Sequence, residues 1–273
     1  MKQVIVITGA TGGIGQLLVK NLCGGHRHIV CVGRREGALQ RLVDDTCAEK
    51  GLSEVDISYV VADMSEPVAV ESAAMTVAAR HGHIDMWINN VGVNNHAAMG
   101  PTWDVDASEW WKEVQLNLFT AYLGSAAAAK AMKPQARGYI VNLGGGGADK
   151  PKPFGSAYGS AKAAIVKFSE TLNQELIEQG LGLRAFCFNP GFIRNQRTET
   201  LVASEVAKKY MPNLEEVLNS GAMSDIADSV ALLEAILSGD LDKLSGRYLL
   251  ADSFQEDIQQ PLSDQLLLLR HQR

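Results

Sequence analysis

Two side chains four positions apart, Tyr158 and Lys162, pose the first chemical question of this sequence. They lie in a segment, 156–179, in which Ile165, Phe168, Leu172 and Leu176 recur at helical spacing, so both project from one helix face. A phenol beside an ammonium is a proton-transfer pair. A free tyrosine titrates near ~10, and a neighbouring positive charge favours the phenolate. The expectation is that Lys162 draws the Tyr158 pKa down and that Tyr158 serves as general acid or base.

A second stretch with chemistry in it is Thr8-Gly9-Ala10-Thr11-Gly12-Gly13-Ile14-Gly15. It follows an apolar run and opens an amphipathic one. Gly9 permits the tight turn. Gly13 removes a Cβ where backbone must approach a pyrophosphate, and Gly15 lets the helix pack closely on the strand. The helix N-terminus offers unpaired N–H groups and a partial positive charge to phosphates. With a strand before it and a helix after it, the turn reads as a dinucleotide site.

These groups need a frame. Strands are predicted at 3–8, 28–33, 57–62, 84–89, 138–143, 183–189 and 246–251, each apolar on both faces as buried parallel strands are. Helices are predicted at 13–23, 36–49, 67–81, 107–133, 156–179 and 224–237. Strict alternation implies one α/β domain, a Rossmann-like doubly wound parallel sheet of about seven strands with helices on both faces. Ligands then bind along the strand C-terminal edge. Residues 191–221 contain no strand, only a short helix around 202–210, and read as a lid at that edge. The tail, 252–273, is a C-terminal extension, either an arm on a neighbouring subunit or a frayed end.

With its Gly-x3-Gly-x-Gly spacing, the chain resembles the short-chain dehydrogenase/reductase family. Asp63, Asn89-Asn90-Val91-Gly92, Asn117, Tyr158-Gly159-Ser160-Ala161-Lys162 and Pro190-Gly191 follow in the family's order. The resemblance covers about residues 3–251 and implies that 1–251 form the NADP-binding domain, lid included. It implies that Asp63 and Met64 lie against adenine, Asn90 and Gly92 under a ribose, and Pro190, Gly191 and Ile193 around nicotinamide. It gives Lys162 to the nicotinamide ribose, and Asn117 to a proton relay with Lys162. Where the family often has Thr, Asn195 stands. Strand two ends in Arg34-Arg35 rather than in the acidic residue that accepts the ribose hydroxyls of NAD. A guanidinium pairs with a 2′-phosphate, so NADP(H) is expected over NAD(H), with Arg34 the first contact and Arg35 the second.

One position departs from the pattern. The family has Ser thirteen residues before the Tyr, binding the substrate oxygen, whereas here Gly145 stands within Gly144-Gly145-Gly146-Gly147. Either glycine N–H groups replace the hydroxyl, or Ser156 or a residue of the Asn94-Asn95-His96 loop supplies it, or carbonyl reduction is lost. Trp103 is a candidate pocket wall. The leading expectation is an NADP(H)-dependent oxidoreductase acting on a small-molecule carbonyl or alcohol. The alternatives are an NADP(H)-binding regulatory or scaffold protein and a non-redox lyase or isomerase.

Composition narrows the remainder. A net charge of −6 without a basic block argues against nucleic acid, and no apolar run reaches the ~18 residues of a membrane span. The N-terminal run 4–7 is too short for a signal peptide. Cys23, Cys31, Cys47 and Cys187 show no paired spacing, which suits reduced thiols and a cytoplasmic location. His26/His28 and His81/His83 lack a third ligand, so no metal is expected. The long helices 107–133 and 156–179 suggest a homodimer or homotetramer interface.

Overall fold

The computed structural model describes residues 2–53, 56–135 and 137–259. Seven parallel strands form one sheet: β1 (Gln3–Thr8), β2 (Arg27–Gly33), β3 (Ile57–Val61), β4 (Met86–Asn89), β5 (Gly138–Leu143), β6 (Leu183–Asn189) and β7 (Tyr248–Leu250). Their order across the sheet is β3-β2-β1-β4-β5-β6-β7. The order in which strands are added reverses between β1 and β4, which opens a crevice at their C-terminal ends.

Alternation within each strand sorts side chains to two faces. Ile5, Ile7, Ile29 and Cys31 point to one side, where α1 (Gly13–Leu22), α2 (Glu36–Lys50) and α10 (Ile226–Ser238) cover them with Leu18, Leu39, Leu232 and Ile236. Val4, Val6, Val30 and Val32 point to the other, under α3 (Pro67–His81), α5 (Thr120–Met132) and α6 (Ser156–Glu178). Both strand faces are therefore covered, and the doubly wound expectation holds.

The predicted helix 107–133 is interrupted. α4 (Ala107–Val114) passes into a π-turn, Gln115–Phe119, and then into α5. The π-turn adds one residue to the ladder and centres on Asn117, a placement common at functional sites. The 191–221 excursion holds three short helices, α7 (Gln196–Ala203), α8 (Glu205–Tyr210) and α9 (Asn213–Asn219), where one was expected. Its base is pinched by a parallel bridge, Ile193 to Ser224. After β7 comes α11 (Phe254–Gln259), with Phe254 buried. The Leu266–Leu269 part of the extension lies outside the described residues. Among those residues no helix is long and apolar enough to cross a membrane.

Candidate active site

One crevice of about 610 Å³ runs along the strand C-terminal edge, from Arg34 and Asp63 at one end to Tyr158 and Lys162 at the other. The Gly-rich turn forms its floor. Gly9 has φ +61°, and a Cβ there would press on Val91 and Asn90. A Cβ on Gly13 would collide with the Asn195 side chain, and one on Gly15 with the Gly9 carbonyl and the Asn90 amide. Gly15 thus serves helix packing, and it does not line the crevice, whereas Gly9, Thr11, Gly12, Gly13 and Ile14 do. No side chain caps α1, whose N-cap is Gly12. Its leading N–H groups face the space a pyrophosphate needs, so the residues present fit a dinucleotide.

At the far end, Arg34, Arg35, Asp63 and Met64 line the crevice as expected. Asp63 Oδ1 accepts from the Ser65 amide at 2.9 Å and its hydroxyl at 2.7 Å, which holds the carboxyl below its usual range. Arg34 Nη1 lies 3.9 Å from Asp63 Oδ2. Asn90 also lines the crevice, but its amide is spent on the Thr8 and Gly9 carbonyls, at 3.0 and 3.1 Å. It therefore staples β4 to the Gly-rich turn.

At the near end, Lys162 Nζ donates to the Leu143 carbonyl at 2.9 Å and lies 5.5 Å from the Tyr158 ring centroid. Asn117, wholly buried, binds the Val93 backbone twice, through Nδ2 to its oxygen at 3.0 Å and through Oδ1 from its N–H at 3.1 Å. A Cβ on Gly92 would stand 2.9 Å from Asn117 Oδ1 and 3.6 Å from Lys162 Nζ. Gly92 thus keeps open the space between the two. The expected lowering of the phenol is reversed. Burial pushes Tyr158 up to about 12, only partly opposed by the charge of Arg197. Burial also draws Lys162 down to about 8. The two groups are close, but burial sets the direction of both shifts.

The glycine run has a definite environment. A Cβ on Gly144 would come within 2.6 Å of the Tyr248 ring, and Tyr248 donates to the Gly145 carbonyl at 3.0 Å. At Gly145 a Cβ would stand 2.6 Å from Tyr158 Oη. The phenol therefore occupies the room in which a side chain at 145 would begin. Of the proposed substitutes for the Ser hydroxyl, Asn94 lines the crevice, whereas Ser156, which accepts from Trp110 Nε1 at 3.0 Å, and His96 do not. Trp103 is 85% exposed and also lies off it. Their positions in sequence suggested the substrate side, but packing turns them elsewhere.

Pro190, Gly191 and Ile193 line the crevice as expected. Asn195 caps α7, its Oδ1 accepting from the Arg197 and Thr198 amides. The excursion reaches over the site and is fastened there. The Tyr210 ring stacks on Phe154 at 4.9 Å, and Phe154, at φ +61°, accepts from the Gly100 amide at 2.9 Å. Leu201 and Ala207 pack on Met99 beneath.

Sequence reasoning missed two groups. Lys152 and Arg197 line the crevice beside Tyr158, and buried Glu113 lies near enough for both to feel its charge. The Pro-Lys-Pro setting of Lys152 was the available signal. Behind the site, Asn89 Nδ2 donates to Ser125 Oγ at 2.9 Å and to Asn142 Oδ1 at 2.8 Å, and Asn142 Nδ2 donates to Ser169 Oγ at 2.9 Å. This buried chain of amides ties β4, β5, α5 and α6 together.

With the geometry described, known proteins can be set beside it. The sequence pattern of the short chain dehydrogenase family matches residues 3–206. A short chain dehydrogenase of Pseudocercospora fijiensis is 32% identical over 217 residues, spanning 79% of this chain and 67% of its own. Among solved structures, an actinorhodin polyketide ketoreductase with NADPH has the same fold, with a TM-score of 0.79 at 20% identity over 91% of this chain and 95% of its own. A metagenomic short-chain oxidoreductase in complex with NADP is 28% identical, with a TM-score of 0.61 over 70% of this chain and 83% of its own.

Proposed function

The chain belongs to the short-chain dehydrogenase family, and on that premise we propose that it is an NADP(H)-dependent oxidoreductase with Tyr158 as its acid/base. It reduces a small-molecule carbonyl or oxidises the corresponding alcohol. The observation that carries the reading is that the Gly-rich turn, Tyr158 and Lys162 line one crevice at the sheet's switch point.

When bound, the nicotinamide supplies or accepts the hydride. The chain supplies position and proton. Gly12, Gly13 and Ile14 present N–H groups to the pyrophosphate, and Pro190, Gly191 and Ile193 wall the nicotinamide. Lys162, whose Nζ donates to the Leu143 carbonyl, would hold the nicotinamide ribose. Tyr158, with its pKa at about 12, holds its proton at neutral pH and is set to donate it to a developing alkoxide.

Arg34 and Arg35 support the NADP assignment, as does the NADP complex of the 28% identical structure. In this reading Asp63 steadies Arg34 while Arg34 meets the 2′-phosphate. Residues 1–251 are the catalytic domain and 191–221 its lid. Exposed Trp111, Phe119 and Tyr122 on the α4–α5 face fit a homo-oligomeric interface in a cytoplasmic protein, which sedimentation would show as a dimer or tetramer.

The test is substrate-dependent change in the reduced-nicotinamide absorbance across a carbonyl panel, with Tyr158→Phe as control. Turnover abolished in that variant supports the reading. Tight NADPH binding without turnover on any substrate would favour the regulatory alternative, toward which the hydroxyl-free Gly145 points. A wild type that binds NADH more tightly than NADPH overturns the cofactor assignment.

A further inference from the structure

We infer that the crevice contains, beside Tyr158, a subsite for a substrate carboxylate built from Lys152 and Arg197, so that the substrates are oxo or hydroxy acids. The inference deepens the oxidoreductase reading and rests on it.

Lys152 is placed by three glycines. A Cβ on Gly147 would stand 3.0 Å from Lys152 Cβ and 3.2 Å from its Cδ. One on Gly155 would stand 3.1–3.2 Å from Cγ, Cδ and Cε, and one on Gly159 3.5 Å from Cβ. The aliphatic stem thus runs through a slot that side chains would fill, and it delivers the ammonium 4.9 Å from the Tyr158 ring centroid. Arg197, at the first turn of α7, lines the same crevice.

Neither cation has a hydrogen-bond or ion-pair partner among the described residues. The contrast with their neighbours is informative. Arg194, one turn away, pairs with Glu199 at 2.9 Å, and Lys167 and Lys208 pair within their own helices. Glu113 is the nearby acid, but it stays beyond ion-pair distance and accepts instead from the Asn95 amide at 3.1 Å. Two cations therefore face one desolvated carboxylate, which leaves a local excess of positive charge in a chain that is acidic overall. An ammonium and a guanidinium converging from two elements suit a bidentate anion. Leu201, Leu214 and Val217 line the lid side and provide an apolar wall for the remainder of such a molecule.

The test compares C4–C8 oxo acids with their methyl esters, and hexanoate with methyl hexanoate as non-reacting ligands of the NADPH complex followed by calorimetry. The expected result is a preference for acid over ester in kcat/KM of tenfold or more, and hexanoate binding that methyl hexanoate does not share. Lys152→Met and Arg197→Met should each bring the acid-to-ester ratio down at least fivefold. Gly155→Ala, which crowds the slot without changing charge, should also lower it. Esters turned over as well as acids by the wild type, or a ratio untouched in both charge variants, would overturn the subsite. So would an Arg197→Met effect confined to NADPH affinity, which would give that residue to the cofactor. Hexanoate binding without turnover of any carbonyl would sink the redox reading and leave the subsite standing. Turnover of neutral ketones without an acid preference would do the reverse.

Discussion

Gly145 offers the sharpest test of how this site is built. If the position merely lacks a hydroxyl, Gly145→Ser should raise turnover. The geometry says otherwise. The new Cβ would stand 2.6 Å from Tyr158 Oη, 3.4 Å from Cζ and 3.5 Å from Lys162 Cε, where ordinary contact begins at 3.4 Å. The phenol must therefore retreat by about 0.8 Å. It has little room, because α6 holds its backbone and the Lys152 ammonium sits over its ring at 4.9 Å. Backbone at φ +155° adds strain for any side chain. A misplacement of about 1 Å at a reacting group costs up to ~10²-fold. Gly145→Ala and Gly145→Ser are each expected to lower kcat/KM by roughly 10–100-fold, with NADPH Kd held within about twofold. Gly146→Ala is the control, since nothing stands within 4 Å of a Cβ there. Steady-state kinetics with a fluorescence titration of NADPH would decide it. A Ser variant faster than wild type would falsify the argument and show that the natural site is short of a donor.

Further outcomes follow from the same structure. Asn89→Ala removes the hub of the buried amide chain, strands Trp87 Nε1 and leaves Asn142 Oδ1 with Ser125 Oγ alone; urea unfolding should show a loss of about 2 kcal/mol or more. Lys162→Met should stabilise the fold at pH 7. The drop of Lys162 from its usual 10.5 to about 8 corresponds to about 3 kcal/mol against the folded state. That penalty is complete below pH 8 and fades toward 10.5, because in that window the unfolded chain binds the extra proton. The wild-type and variant stability curves should therefore converge as pH rises, and parallel curves would refute the burial argument. Arg34→Ala should lower the ratio of NADH Kd to NADPH Kd by about tenfold, consistent with a charge-assisted pair. Tyr210→Ala removes the ring stacked on Phe154 and should speed proteolysis between residues 204 and 221 without altering the far-ultraviolet spectrum.

Much of the frame was readable because buried parallel strands leave an unmistakable apolar signature. β1, β5 and β6 begin and end where the pattern puts them. β4 starts at Met86 rather than at 84 because the Ile84 amide is taken by Gln135 Oε1, a contact from a distant loop. The π-turn was invisible, since Trp111, Val114, Leu118 and Tyr122 keep an apolar rhythm through it. Ser204 could have divided the helices of the 191–221 excursion: it caps α8 through the Ala207 amide. At the site, spacing brought Tyr158 to Lys162 but could not reveal their shared burial, which reverses the direction of the tyrosine's titration. That Ser156 and Trp103 do not line the crevice could not be read from their chain position. Lys152 and Arg197 lie far apart in sequence, and only the fold brings them to one crevice, with buried Glu113 near enough for both to feel its charge.

The bridge between Ile193 and Ser224 closes the excursion where it leaves the sheet, and the Phe192 amide adds a bond to Ser224 Oγ at 3.1 Å. Everything between these anchors hangs outside the strand register. Residues 194–223 therefore form an exchangeable cassette. A stretch of another length or composition, joined at the same two points, would leave the hydrogen-bonded ladder intact. Selectivity can then diverge without renegotiating how the domain folds.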